Sequence, residues 1–330
     1  MRIMITSLLL LAGIAPCQET GKTPFPSVVP LGLPSKLPSP ADNPLTEDAF
    51  VLGRQLFADP ILSIDRTVSC ASCHRPDRGF ASPERFPPGV QGKRALRHAP
   101  TLLNRAFGKS HRWDGATPTL EEQVLLPIKD PNEMGLAIDE AVQRLRSQPT
   151  YQNHFQRIYG SDPTRRDLSR ALASFVRGLL IGDSPFDRFL LGDREALSRS
   201  ERAGMWIWES KGGCWRCHSR PNFTDEEFHN TGVGVTDGQA EPGRAAVTGK
   251  PEDRGKFKVP TLRGLTRTAP YMHDGSLPTL EEVIEFYRRG GNRNPGLSTL
   301  LEALTLTDEE ARNLVAFLRV LSRKAVATRK

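Results

Sequence analysis

The residues best suited to chemistry lie in two short motifs, in which two cysteines spaced by two residues are followed directly by a histidine. The first has the sequence CASCH and the second CWRCH. This pattern is typical of haem c attachment, because two thiols add to the haem vinyl groups while the adjoining histidine binds the iron. A four-cysteine zinc site and two disulfides also use this cysteine spacing, but neither needs both histidines. The predicted attachment and iron-binding residues are Cys70, Cys73, His74, Cys214, Cys217 and His218.

The two halves of the chain share further sequence at a constant offset of 160 residues. Such an internal repeat predicts two similar structural units, each built around one motif. The matched stretches are 98–103 with 258–263, 113–115 with 273–275, and 118–122 with 278–282.

The repeats differ at a position that could bind iron. Pro127 of the first half corresponds to Tyr287 of the second. Proline cannot bind iron, whereas a tyrosine oxygen can. If these residues lie over the distal faces of the haems, the first haem is open for chemistry and the second is closed and transfers electrons.

The elements that position these residues are predicted to be helices. Apolar residues recur at helical spacing within 45–56, 168–179 and 314–321. In both halves a threonine, Thr119 or Thr279, precedes a glutamate by three residues, which indicates a capping box and two comparable helices. Without a convincing run of alternating strand residues, we predict an all-α fold of two cytochrome c-type domains, 45–190 and 191–330, each around one covalently bound haem.

The N-terminus indicates export. Residues 1–16 combine Arg2 with a short apolar run, as a signal peptide does, and Cys17 then partly resembles a lipid-anchoring site. Seven prolines between residues 20 and 45 predict an extended tether over 17–44. We therefore expect a periplasmic protein whose contact with the membrane is limited to a lipid on Cys17.

The formal net charge of +7 is modest evidence about partners. The propionates of two haems would largely cancel it. The sequence lacks the clustered basic stripe with interleaved aromatic residues that nucleic-acid binding requires, so no nucleic-acid partner is expected.

From about residue 45 to the C-terminus, the chain resembles the bacterial di-haem cytochrome c peroxidase family, including its MauG-like branch. The resemblance implies two cytochrome c domains, with the His74 haem reacting with peroxide and the His218 haem transferring electrons. The stretches that carry it are 69–74, 97–104, 112–115, 121–124, 132–135 and 269–275.

The resemblance also implies roles for individual side chains. Trp113 matches the tryptophan that relays electrons between the haems, and Gln123 and Glu133 match the distal polar pair, with Glu133 as the acid–base group. Val90 stands near the place where many of these peroxidases carry a removable distal histidine, so no reductive activation step is expected. Tyr287 falls where those peroxidases have methionine, as it does in the MauG-like branch.

Several positions leave alternatives open. Met272 and His273 are rival ligands for the second haem. The family's calcium site is matched here by His98, Thr268 and Pro270, although histidine is a poor ligand for calcium. Local structural or surface roles are expected for His111, His154 and His229, and core packing is expected for Trp206, Trp208 and Trp215 rather than hole transfer to a docked partner.

Three functions remain in competition. The first is a peroxidase that reduces hydrogen peroxide to water with electrons from a small cytochrome c or cupredoxin. The second is a MauG-like oxidase, in which peroxide drives oxidation of a protein substrate by long-range electron transfer. The third is a non-catalytic di-haem electron carrier, against which an acidic residue beside an open haem argues.

Overall fold

The computed structural model describes residues 25 and 28–322, which fold mainly as helices joined by loops and turns. The predicted signal peptide and Cys17 lie outside these residues. Within them, no helix has the length and apolar character needed to span a membrane. The helices are α1 (Glu47–Ala58), α2 (Cys70–Cys73), α3 (Leu120–Gln123), α4 (Leu126–Lys129), α5 (Ile138–Arg146), α6 (Pro149–Tyr159), α7 (Arg165–Arg177), α8 (Pro185–Leu190), α9 (Arg199–Glu209), α10 (Ala245–Thr248), α11 (Leu280–Arg288) and α12 (Asp308–Val320). Short 3-10 turns lie at Pro60–Leu62, Pro76–Arg78, Val90–Gly92, Arg105–Phe107, Cys214–Arg216, Pro251–Asp253 and Leu265–Arg267.

The longer helices form where their apolar spacing predicts them. The stretches within 45–56, 168–179 and 314–321 become α1, α7 and α12, and each of these helices buries its apolar face. Thr119 and Thr279 cap α3 and α11, because the hydroxyl of each accepts a 3.2 Å hydrogen bond from the amide three residues later.

Each half of the chain has its own hydrophobic core. The first contains buried residues between Leu52 and Ile181, and the second contains buried residues between Phe186 and Leu321. One close helix pair anchors each core, α1 on α7 and α9 on α12. A Cβ on Gly53 would lie 2.0 Å from the Ala171 carbonyl oxygen, and one on Gly204 would lie 1.9 Å from that of Asn313, so both crossings require glycine.

The prediction of an all-α fold needs one small correction. Strands β1 (Phe228–His229) and β2 (Phe257–Lys258) pair in antiparallel register, with Phe228 opposite Lys258. Strands of two residues are too short to give an alternating pattern in the sequence.

The prediction of two comparable distal helices is wrong for the first half. In the second half, α11 runs unbroken through Tyr287, whereas the equivalent stretch divides into α3 and α4. Pro127 lies in the first turn of α4. Because proline has no amide hydrogen and its ring crowds the carbonyl four residues earlier, a continuous helix cannot pass through it from Gln123.

The two halves share unusual backbone conformations at the offset seen in the sequence. Three pairs of residues 160 positions apart all adopt the left-handed region, which non-glycine residues rarely enter. Backbone bridges also recur, with His111 opposite Thr117 and Tyr271 opposite Leu277. The pairs are Asn104 and Gly264 (φ 59° and 80°), Arg112 and Met272 (66° and 74°), and Gly115 and Gly275 (70° and 63°).

The described part of the proline-rich segment contacts both halves, although most of its residues are exposed. Asn43 is buried, and its Nδ2 donates to Glu121 Oε1 at 2.7 Å in the first half. The Gly32 carbonyl accepts a 2.7 Å hydrogen bond from Arg263 of the second half, and Arg263 also forms a buried ion pair with Asp187. We call residues 28–44 the strap.

Candidate haem sites

The first motif lies on the single-turn helix α2. The Ser69 amide donates to Ser72 Oγ at 3.0 Å and fixes the start of this turn. Side chains three residues apart share one face of a helix, so Cys70 and Cys73 are positioned together. The His74 amide then donates to the Cys70 carbonyl at 2.9 Å, which ends the turn with the imidazole beside both thiols.

Main-chain carbonyls orient the imidazole of His74. Its Nδ1 lies 3.0 Å from the Phe80 carbonyl oxygen and 3.1 Å from that of Pro100. A proton on Nδ1 satisfies these acceptors and leaves Nε2 as the free electron pair that an iron ion needs. Burial lowers the pKa of His74, which also favours the neutral ring.

The second motif repeats this arrangement. His218 Nδ1 lies 3.1 Å from the Phe223 carbonyl oxygen, and the Pro260 carbonyl also hydrogen-bonds to this imidazole. Pro100 and Pro260 are 160 residues apart. The repeated stretch therefore supplies the acceptor that orients the predicted iron-binding histidine in each half.

The donor groups fit covalent haem c better than the competing alternatives. All four cysteines of the motifs are free thiols, so the two disulfides do not form. A cavity of about 490 Å³ opens beside the first motif and is lined by Cys70, Cys73 and His74 but by neither cysteine of the second motif. The thiols are therefore divided between two places, as two haems require and a four-cysteine zinc site does not.

The predicted distal residues of the first haem line the same cavity as His74. They are Gln123, Pro127 and Glu133. Gln123 Oε1 accepts a 2.8 Å hydrogen bond from the Thr117 hydroxyl, which leaves its amide group as a donor. Val90 is buried, and its amide donates to the Glu133 carbonyl at 2.9 Å, so the loop that lacks a histidine supports the acid–base candidate.

Glu133 has the electrostatic character of an acid–base group. Burial and the nearby Asp130 carboxylate raise the pKa of Glu133 to about 7, against the opposing charge of Arg112. A group with a pKa near neutrality can both accept and return a proton. Arg112, to which the sequence pattern gives no role, lines the same cavity.

Tyr287 lies beside the second motif. Burial, with the neighbouring Cys214 and Cys217 thiols, raises the pKa of this phenol above its ordinary value. The rival ligand His273 faces elsewhere, because its Nε2 lies 2.6 Å from Glu241 Oε1 and its ring stacks on Phe257 at 3.5 Å. The geometry therefore favours Tyr287 over His273 as the oxygen or nitrogen that closes the second site.

Trp113 lies where the two halves meet. Its indole Nε1 donates to the His98 carbonyl at 2.8 Å, and its own carbonyl accepts from the Lys258 amide at 2.8 Å. The indole meets the His273 ring edge to face, with centroids 6.3 Å apart. This aromatic side chain therefore contacts both halves and lines the first cavity.

The predicted calcium site gains no support from its donor groups. His98 is buried with Nδ1 3.1 Å from the Glu84 carbonyl oxygen, and an imidazole suits calcium poorly. The Thr268 hydroxyl donates to the Leu265 carbonyl at 3.3 Å. Calcium binding at Thr268 and Pro270 stays a prediction.

The structure adds charged residues that sequence reasoning missed. Arg105 forms a buried ion pair across the two halves with Glu226, at 2.7 Å, and Lys258 lies 3.8 Å from the same carboxylate. His111 is buried and lines the first cavity, where burial and nearby cations lower its pKa to about 3. Its position directly before Arg112 and Trp113 was the available signal.

The prediction for the tryptophans near the second motif is correct for one residue of three. Trp208 is 2% exposed and lies in the core. Trp206 and Trp215 are 67% and 49% exposed, so core packing is wrong for both.

Comparisons with known proteins agree with this geometry. A model of the family described as "Di-haem cytochrome c peroxidase" matches residues 47–195, and a model described as "RoxA-like, cytochrome c-like" matches residues 256–290. The methylamine utilization protein MauG of Methylorubrum extorquens is 39% identical, over 89% of this chain and 84% of that protein.

Relatives that are named peroxidases have a similar sequence identity to this chain. Cytochrome-c peroxidase IdrP1 of a Pseudomonas species is 35% identical, over 95% of this chain and 91% of that protein. Among solved structures, a MauG-like protein associated with microbial copper homeostasis superposes with a TM-score of 0.83 at 33% identity, covering 90% of this chain and 97% of that one.

Proposed function

Because the chain belongs to the di-haem cytochrome c peroxidase family and carries two covalently bound haem c groups, we propose that it reduces hydrogen peroxide to water. One peroxide, two protons and two electrons give two molecules of water. A small cytochrome c or cupredoxin supplies the electrons one at a time and is itself oxidised. The His74 site takes the peroxide and the His218 site takes the electrons.

The observation that carries this proposal is the difference between the two distal positions. Pro127, which has no iron-binding atom, lines the cavity beside His74, whereas Tyr287 lies against Cys214 and Cys217. An iron with one free position can bind peroxide, and an iron with two protein ligands is suited to electron transfer. Haem binding at these residues, and the origin of the two domains 45–190 and 191–330 by duplication, belong to the proposal.

Glu133 and Gln123 perform the proton and hydrogen-bond chemistry. When bound, the haem supplies the electrons and the coordination position at which the O–O bond breaks. Glu133 Oε accepts the proton from the bound peroxide oxygen and returns it to the departing oxygen, which leaves as water. The Gln123 amide donates a hydrogen bond into the same cavity and holds the peroxide in position.

Trp113 is the proposed route for electrons between the two sites. Its indole contacts the second half through His273 and lines the cavity of the first. Replacing Trp113 with Phe should slow reoxidation of the second haem by peroxide while leaving peroxide binding at the first site intact.

The test is steady-state turnover with a reduced donor. Peroxide-dependent oxidation of a reduced small cytochrome c or cupredoxin, at two donor molecules per peroxide, is the expected result. Absence of turnover with several protein donors and with ascorbate would overturn the proposal.

A second candidate is a MauG-like oxidase of a protein substrate, and Tyr287 is the observation that favours it. A tyrosine oxygen beside the second motif favours higher oxidation states of an iron held there. This function predicts a near-infrared absorption band after peroxide addition that is lost in Tyr287→His, and covalent change in a protein substrate. In either case we place the protein in the periplasm.

A further inference from the structure

Two exposed tryptophans lie beside the second haem motif and have no part in the peroxide reaction. Trp206, on α9, is 67% exposed, and Trp215, inside the CWRCH motif, is 49% exposed. By contrast, Trp208 packs against Phe317 in the core, with ring centroids 5.8 Å apart. Tryptophan is on average highly buried, so a pair this exposed indicates surface that another molecule covers.

The two side chains belong to neighbouring elements. After α9 the chain folds back, because the Gly212 amide donates to the Ile207 carbonyl at 2.8 Å. This turn packs the segment Cys214–Arg216 against α9. Trp215 is the residue next to Cys214, so the surface adjoins the residues that would attach the second haem.

The stretch 199–220, which contains both tryptophans, carries a net positive charge. Residues 199–220 contain five arginines and lysines but two glutamates. Glu201 is buried and accepts a 2.7 Å hydrogen bond from the Ser198 amide, which leaves Glu209 as the accessible acid within this stretch. Within the described residues, Lys211 is paired with Glu310 and the four arginines have no ion pair. The five cationic residues are Arg199, Arg202, Lys211, Arg216 and Arg220.

Two arginines lie on the same face of α9 as the first tryptophan. Arg199, Arg202 and Trp206 follow helical spacing, so they share the outer face of α9, while Trp215 and Arg216 are exposed on the adjoining turn. We call these five residues the tryptophan–arginine surface. Tryptophan and arginine are the residue types that most often dominate binding energy in protein interfaces.

We propose that the tryptophan–arginine surface docks the acidic face of a small soluble electron-transfer protein. The inference rests on the proposed function, since it names the electron donor's charge and its entry point. The tryptophans supply the apolar contact, the arginines attract the acidic partner, and the docked partner lies beside the residues that would attach the second haem. Complementary charge raises the rate of encounter and makes it depend on salt.

The experiment uses the ferric di-haem protein and plastocyanin, a small copper protein with an acidic face, as the probe. Isothermal titration gives the affinity at low and high salt for the wild type, for Trp206→Ser/Trp215→Ser and for Arg199→Gln/Arg202→Gln. Val247→Ser is the matched control, because Val247 is 42% exposed on α10, away from both tryptophans in the sequence and from the cavity lining. Peroxide turnover with ascorbate is measured in parallel.

Each double variant should weaken plastocyanin binding by about tenfold, with ascorbate-driven turnover and haem content unchanged. The Val247→Ser protein should bind as the wild type does, and added salt should weaken binding. Undiminished affinity in both double variants, or tighter binding of a basic cytochrome c than of plastocyanin, would overturn the inference. If the wild type bound plastocyanin at this surface but showed no peroxide turnover with ascorbate, the proposed function would be wrong and the docking surface would stand.

Discussion

At the scale of single residues, the two haem sites share their proximal side and differ on their distal side. His74 and His218 are each oriented by a proline carbonyl from the repeated stretch, through Pro100 and Pro260. Because the proximal sides match, the proposed difference in reactivity rests on the distal side chains.

Glu133 gives the sharpest prediction at this scale. Replacing it with glutamine keeps the size of the side chain but removes the proton acceptor, so kcat/KM for peroxide should fall by roughly 10²- to 10⁴-fold. Since the pKa of Glu133 is raised to about 7, wild-type kcat/KM should rise with pH as the carboxyl loses its proton and level off above that value. The Glu133→Gln variant should lack this rise of kcat/KM with pH.

The matched control is Glu122→Gln, because Glu122 is exposed on α3. Its peroxide turnover and pH profile should equal those of the wild type. Normal turnover in Glu133→Gln would show that another group transfers the proton.

At the scale of elements, the two halves differ in the helix that carries the predicted distal residue. Helix α11 is continuous and presents Tyr287 one residue before its end. In the first half, Pro127 breaks the same stretch into α3 and α4. The proline therefore offers no atom that could bind iron and also changes the helix on which the equivalent residue lies.

The N-cap of α11 should contribute to stability. Thr279→Ala removes the hydroxyl that accepts from the Glu282 amide, so the free energy of unfolding should fall by about 1 kcal/mol in a denaturant titration. Thr279→Ser keeps the acceptor and should retain most of that free energy. An equal loss in the serine variant would argue against capping as the cause.

Many of the helices were predictable from the sequence, and there are physical reasons why other features were missed. Apolar spacing and threonine caps identified α1, α7, α11 and α12, since those signals are local. The break before Pro127 was also readable, because an interior proline cannot continue a helix. Likewise, Trp206 and Trp208 point about 200° apart on a helix, so both could not face one core. Contacts such as Arg105 with Glu226, which join distant stretches, leave no periodic signal.

At the scale of the whole molecule, the strap and the ion pairs between halves hold the two haem units together. The strap reaches the first half through Asn43 and the second through Gly32. Gly32 has φ +81°, and a Cβ there would lie 1.8 Å from Asp187 Oδ1. Even a methyl group would therefore displace the carboxylate that pairs with buried Arg263.

Gly32→Ala should lower the free energy of unfolding by about 3 kcal/mol more than Gly249→Ala, because it disrupts a buried ion pair. Gly249 is the matched control, with φ +70° and open space where a Cβ would lie. Both variants carry the cost of a left-handed alanine, so their difference isolates the contact with Asp187. Equal losses would mean that the strap contributes nothing through this contact.

The central claim is that the two haems are inequivalent, with an open iron at His74 and an iron at His218 closed by Tyr287. Electron paramagnetic resonance of the ferric protein at neutral pH tests it most directly. We predict one high-spin signal from an iron with a free position and one low-spin signal from an iron with two protein ligands, in equal amounts. Two low-spin signals would contradict the account.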